Sequence, residues 1–194
     1  MSDTSKSHTQ PEQSDNEQQK RGTVMLVSGS LDHALTAFEI AIGMQAMGMQ
    51  MTMWFVLYGV NSIKKPRSYF SFQRWFPFHR LTGKTGRNLR TDTGWQKVLL
   101  MVNHEGATNL PLSQLNFFGA GPWLFGKILK KKRMATLPDL IKSADQLGVK
   151  FRICQTCVDA TACDVDADLV VKAEVAGVSR YTLDVMESHY NAVI

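Results

Sequence analysis

Cys154-Gln155-Thr156-Cys157 sets two thiols three residues apart, directly after the apolar run at 149–153. That run has the length and composition of a buried strand, and the residues after it, 155–162, read as a short helix. A cysteine at such a junction faces unpaired N–H groups and the positive dipole end of the next helix, which favour thiolate over thiol. Thiolate is the nucleophile of sulfur chemistry, and both helix N-termini and Cys-x-x-Cys spacing lower a cysteine pKa. The competing reading makes Cys154 a small buried apolar side chain at a strand end. On the first reading Cys154 is the reactive sulfur and is alkylated fastest, with Cys157 an auxiliary thiol.

Other chemistries fit the residues less well. Cys154, Cys157 and Cys163 could supply three zinc ligands, but on a continuous helix position 163 projects opposite 154, and a second Cys-x-x-Cys is missing. No metal is expected. The acidic run at 164–168 resembles the start of a calcium loop, yet Leu169 and Val175 stand where its glycine and closing glutamate belong. Gly83-Lys84-Thr85 lacks the upstream glycine of a phosphate loop. Gly119-Ala120-Gly121-Pro122 fails the dinucleotide fingerprint, so no cofactor is expected. His33 falls in the first strand-to-helix turn, where it could approach Cys154, though a lone solvated histidine accounts for it more simply.

The elements that must position these thiols alternate. A β-branched run at 23–27 leads through Ser28-Gly29-Ser30 into an amphipathic helix with Leu31, Leu35, Phe38 and Ile42 on one face and Asp32 in the first turn. Gly48 ends the helix, and 49–57 reads as a buried strand. A helix followed by a strand explains the apolar stretch 34–60 better than a membrane span, since Glu39, Gln45, Gly48 and Gln50 interrupt it. Thr136 caps a helix, with Pro138 in its first turn, that runs to 147 and feeds the strand at 149–153. A strand at 169–173, a helix at 178–188 and an edge strand at 191–194 complete the pattern. The implied class is α/β: a doubly wound, mostly parallel sheet with helices on both faces, in a single domain.

Two segments stand outside that pattern. Residues 1–22 are polar and read as a disordered tail. Residues 66–110 read as an insertion on the domain spanning 23–194, with a short helix at 95–102. Tyr69, Phe70, Phe72, Trp75, Phe76 and Phe78 lie there among Arg74, His79 and Arg80. Such a segment either folds onto its own domain or meets a partner, an anionic carrier protein or lipid headgroups; nucleic acid is not expected. The net charge of +5 is uneven, with a basic cluster at 130–133 and an acidic run at 159–168, which suits an anionic partner or a peripheral membrane contact. Three cysteines clustered within 154–163 make no disulfide framework, and the chain reads as cytoplasmic.

Three stretches resemble the DsrE/DsrF-like family of small sulfur-trafficking proteins, in its larger DsrE2-type branch. They are residues 27–38 with Ala46-Met47-Gly48-Met49 and a strand ending at Tyr58-Gly59-Val60-Asn61, residues 112–119 through the basic cluster to Leu137-Pro138-Asp139-Leu140, and residues 148–159 with Val175-Ala176-Gly177-Val178-Ser179. The resemblance implies a doubly wound α/β domain whose cysteine after the late strand, here Cys154, accepts and passes on sulfane sulfur as a persulfide or thiosulfonate. It further implies TusA-like or rhodanese-like partner carriers and a homo-oligomer. Cys157 stands where relatives often have serine, Cys163 is extra, and the insertion is long. Two other function classes stay open: a dithiol redox module cycling Cys154 and Cys157, and a non-catalytic protein that docks on partners or a membrane surface.

Overall fold

A computed structural model describes residues 19–65, 105–114, 120–161 and 163–194. Most of the polar tail, the aromatic stretch of the insertion with its expected helix at 95–102, and Gly83-Lys84-Thr85 lie outside the described residues.

The chain runs β1 (Arg21–Leu26), α1 (Leu31–Ala46), β2 (Gln50–Phe55), a 3-10 helix (Leu57–Ile63), α2 (Ala120–Lys131), α3 (Leu137–Gln146), β3 (Lys150–Cys154), α4 (Gln155–Thr161), α5 (Val165–Asp168), β4 (Glu174–Ala176), α6 (Val178–Met186) and β5 (Tyr190–Val193). All four strand pairings are parallel, in the order β4-β3-β2-β1-β5. From β1 to β4 the chain steps in one direction, so right-handed crossovers place α1 and α3 on one face. The last crossover returns past three strands to β5, which puts α6 on the other.

The first face is apolar because alternate strand residues are. Val24 and Leu26 of β1, Met51, Met53 and Phe55 of β2, and Phe151 and Ile153 of β3 are all buried, against Phe38 and Ala41 of α1 and Leu140 and Ala144 of α3. Phe38, Phe55 and Phe151 meet with ring centroids 6.0–6.2 Å apart, each contributing about 1.5–3 kcal/mol by burial. α1 stops where Gly48 takes a φ of +89°, which a side chain would resist. α3 begins at a capping box: the Thr136 hydroxyl and backbone N–H both donate to Asp139.

The other face is polar. Arg152 is 7% exposed and donates to Glu174 at 2.8 Å and to Asp184 of α6. Asp184 also accepts from Trp54 Nε1 at 2.9 Å and pairs with Arg180 at 3.3 Å. Burial works against the charged Arg152, but the two carboxylates outweigh it and raise its pKa above the usual value.

Four sequence expectations shift. The expected tail at 1–22 gives up Arg21 and Gly22, which open β1 and pair with Gln50 and Met51 of β2. The run 169–173 is not a strand: Leu169 makes an isolated antiparallel bridge to Lys64, and β4 starts at Glu174, in register with Arg152. β2 ends at Phe55, and the residues beyond it coil into the 3-10 helix. The late part of the expected insertion also joins the domain, since Ala107 and Leu110 are buried and Glu105 pairs with the buried Lys64 at 3.1 Å.

Candidate functional site

In a parallel sheet every strand ends at the same edge, so the loops after β1, β2 and β3 gather there. The β3 register puts Cys154 opposite Ala176 of β4 at that edge. Its side chain is half-buried, and α4 begins at the next residue. Cys157 falls in the first turn of α4 and is 3% exposed. The two thiols flank the β3–α4 junction, within electrostatic reach of each other. Cys163 is fully buried in the apolar core, away from any solvent-borne reagent.

The loop after β2 completes the thiol environment. The Leu57 N–H donates to Cys157 Sγ at 3.1 Å. Leu57 takes a φ of +51°, a conformation that costs a non-glycine residue about 1–2 kcal/mol and aims this N–H at the sulfur. Gly59 lets the loop press against β1, because a Cβ there would stand 2.0 Å from the Leu26 carbonyl oxygen. Burial raises the Cys157 pKa above its ordinary value, the neighbouring Cys154 adds to the rise, and the Leu57 N–H only partly offsets it. Cys157 is therefore held as a thiol at neutral pH. A buried thiol beside a half-exposed one can donate a hydrogen bond to sulfur carrying negative charge.

His33 does not join this pair. Its Nδ1 meets the hydroxyls of Ser28, at 3.0 Å, and Ser30. Tyr58 packs at Gly29, so the Leu57–Tyr58 turn stands between that cluster and the cysteines. His33 is half-buried and held by two serines, in place of the solvated histidine expected from sequence. Open parallel sheets collect ligands where the strand order reverses, here between β1 and β5. The serine–histidine cluster adjoins that point, while the thiols lie beyond β2.

The Leu57 N–H and the Ser28–Ser30–His33 cluster were not read as a site from sequence. The one local signal was Gly59 after an apolar strand, which marks a close backbone approach. No helix among the described residues is long and apolar enough to cross a membrane, and the stretch 34–60 divides into α1, β2 and the 3-10 helix. Among the described residues, no cluster of His, Cys, Asp and Glu could hold a metal ion.

Comparison with known proteins adds three findings. The chain is 30% identical over 178 residues to the uncharacterized protein YrkE of Bacillus subtilis (strain 168), covering 92% of this chain and 99% of that one. The crystal structure of the ychN protein from E. coli covers 91% of the chain at 9% identity with a TM-score of 0.45. A family model matches residues 18–193, a span that includes every strand of the sheet and the thiol edge. The chain belongs to the DsrE/DsrF/DrsH-like family.

Proposed function

We propose that this protein is a sulfur carrier that holds sulfane sulfur on Cys154 and relays it between partner thiols. The carrying observation is the contrast in access: Cys154 is half-exposed at the end of β3, whereas Cys157 and Cys163 are 3% and 0% exposed. Family membership supports a sulfur-relay setting. The Cys154 thiolate attacks the outer sulfur of a donor persulfide. The donor's S–S bond breaks, its thiolate leaves and takes up a proton, and Cys154 becomes a persulfide with no net oxidation. An acceptor thiolate then attacks the terminal sulfur and Cys154 departs as thiolate. Cys157, kept protonated by burial, donates to the charged sulfur without competing for it. In this reading the donor and acceptor are TusA-like or rhodanese-like carriers, and the protein works as a cytoplasmic homo-oligomer.

The placement of Cys154 and Cys157 on either side of the β3–α4 junction favours a second reading. Attack of Cys157 on Cys154 persulfide would close a disulfide and release hydrogen sulfide, turning the carrier into a dithiol redox module. Intact-mass analysis after incubation with inorganic polysulfide tests both. The carrier reading expects the mass of added sulfur on wild type and on Cys157→Ser, and none on Cys154→Ser. Loss of two hydrogens in wild type, with stable added sulfur only in Cys157→Ser, would replace it with the redox module. Added sulfur on Cys154→Ser would overturn both.

A further inference from the structure

Among the described residues, helix α2 shows solvent a face that the packed core does not use. Leu129 is its one fully buried residue, with Phe125 packed partly against the core. On the outer side Trp123, Leu124 and Ile128 are 64%, 56% and 46% exposed, and Met134 just beyond the helix is 53% exposed. A step of about 100° per residue puts Leu124 and Ile128 on one flank of the outward surface and Trp123 on the other. Lys127 and Lys131 lie along the ridge between them. The Lys127 ammonium sits over the Trp123 ring, 4.8 Å from its centroid.

The charge along α2 has one sign, and a carboxylate that its basic end does reach is Asp139 of α3, which Lys130 helps to hold ionised. Lys127 is followed by Lys130, Lys131, Lys132 and Arg133, and no Asp or Glu occurs from Gly106 to Pro138. Arg133 holds a φ of +55°, the place where helices ordinarily turn off on glycine, as the Met134 N–H returns to the Leu129 carbonyl at 2.9 Å. The chain keeps a cation there at a backbone cost.

We propose that α2 is a membrane-surface helix that docks on anionic phospholipid, with Trp123, Leu124 and Ile128 in the interfacial layer and the basic cluster on headgroup phosphates. Outward Trp, Leu and Ile beside a run of lysines is the composition that binds such a surface, since lysine stems lie along the apolar zone while their ammonium groups reach the headgroups. Protein interfaces, by contrast, are depleted of lysine. The helix is also placed to matter. Gln45, near the end of α1, donates to the Leu147 carbonyl just past α3, so α3 ends at the amino edge of the sheet and starts at the carboxyl edge. The basic end of α2 immediately precedes that start, on the edge that carries Cys154. Docking would hold the thiol edge near the membrane surface, and it stands whether or not the thiol carries sulfur.

Flotation of the full 194-residue chain with vesicles tests this, comparing phosphatidylcholine alone with phosphatidylcholine containing one-third phosphatidylserine. Binding should favour the anionic vesicles by at least tenfold and collapse in high salt. The Lys130→Glu/Lys131→Glu variant should bind at least about 25-fold less tightly, from about fivefold for each lysine lost and added repulsion from each glutamate. Lys172→Glu, outside the helix, should bind like wild type. Tryptophan fluorescence should shift to the blue on binding in wild type but not in Trp123→Phe. Both lysines are exposed, so that variant keeps the fold, and its thermal melt should overlay wild type. Equal binding to neutral and anionic vesicles, equal binding by the lysine variant, or binding to polyglutamate with none to vesicles would overturn the proposal; the last would put an acidic protein on this face.

Discussion

The sheet face under α1 and α3 is built from Val24, Leu26, Met53, Phe55, Phe151 and Ile153, whereas the face under α6 uses the alternate residues of the same strands, among them Thr23, Trp54 and Arg152. The first is held by many weak, non-directional contacts. The second depends on a few directional ones: Asp184 accepts from Trp54 and from Arg152, Arg180 approaches its second oxygen, and Thr23 and Ser188 share a hydrogen bond at 2.7 Å. Apolar packing tolerates a change of shape because neighbours can move. A buried charge network tolerates a missing partner poorly, because what remains is a charge without water. One sheet thus carries a forgiving face and a brittle one.

The largest effect should come from Asp184→Ala. It leaves Arg152 with Glu174 as its remaining carboxylate and leaves Trp54 Nε1 without its acceptor, at a cost of about 3–5 kcal/mol. Urea unfolding checks it, and a loss under about 1 kcal/mol would erase the contrast between the faces. Pairing Asp184→Leu with Arg152→Met should recover much of the loss, because the apolar pair needs no desolvated partner.

On the forgiving face, Phe38→Leu should cost less than about 1.5 kcal/mol, although Phe38 is fully buried between Phe55 and Phe151. A larger loss in the same unfolding series would show that the three rings act as a fixed assembly and that this face is brittle too.

The smallest effect concerns a charge that water partly reaches. Burial pushes the Asp32 carboxyl up, but the hydroxyl and backbone N–H of Ser113 donate to it and hold its pKa below the ordinary 3.8. A carboxyl depressed in the folded state adds stability that is present above its unfolded value and lost as pH falls through its folded value. Asp32→Asn should therefore be less stable than wild type by about 0.5 kcal/mol at neutral pH, with the gap closing below about pH 4. A gap that persists in acid would assign the effect to shape instead of charge.

Much of the frame was legible because it rests on local rules. The Leu31–Leu35–Phe38 stripe, the Gly48 stop and the Thr136-x-Pro138-Asp139 start each carry their own reason and match α1 and α3. β4 was misplaced because Leu169 and Val170 look like a strand in isolation. Lys64 and Ile63 capture them first, and the register with Arg152 moves the true strand to Glu174. Arg152 and Asp184 gave no local signal, being 32 residues apart on a strand and a helix.

At the candidate site the sequence by itself determined that two thiols would stand at the end of a strand, since periodicity and spacing are properties of neighbours along the chain. Which thiol faces solvent, the donor supplied by Leu57 and the separation of His33 from the cysteines were decided by the tertiary structure. Those outcomes depend on the order of strands in the sheet, which brings the loop after β2 between residues far apart in sequence. Burial and hydrogen bonding are set by such neighbours in space, and they tune a thiol more strongly than its neighbours in sequence can.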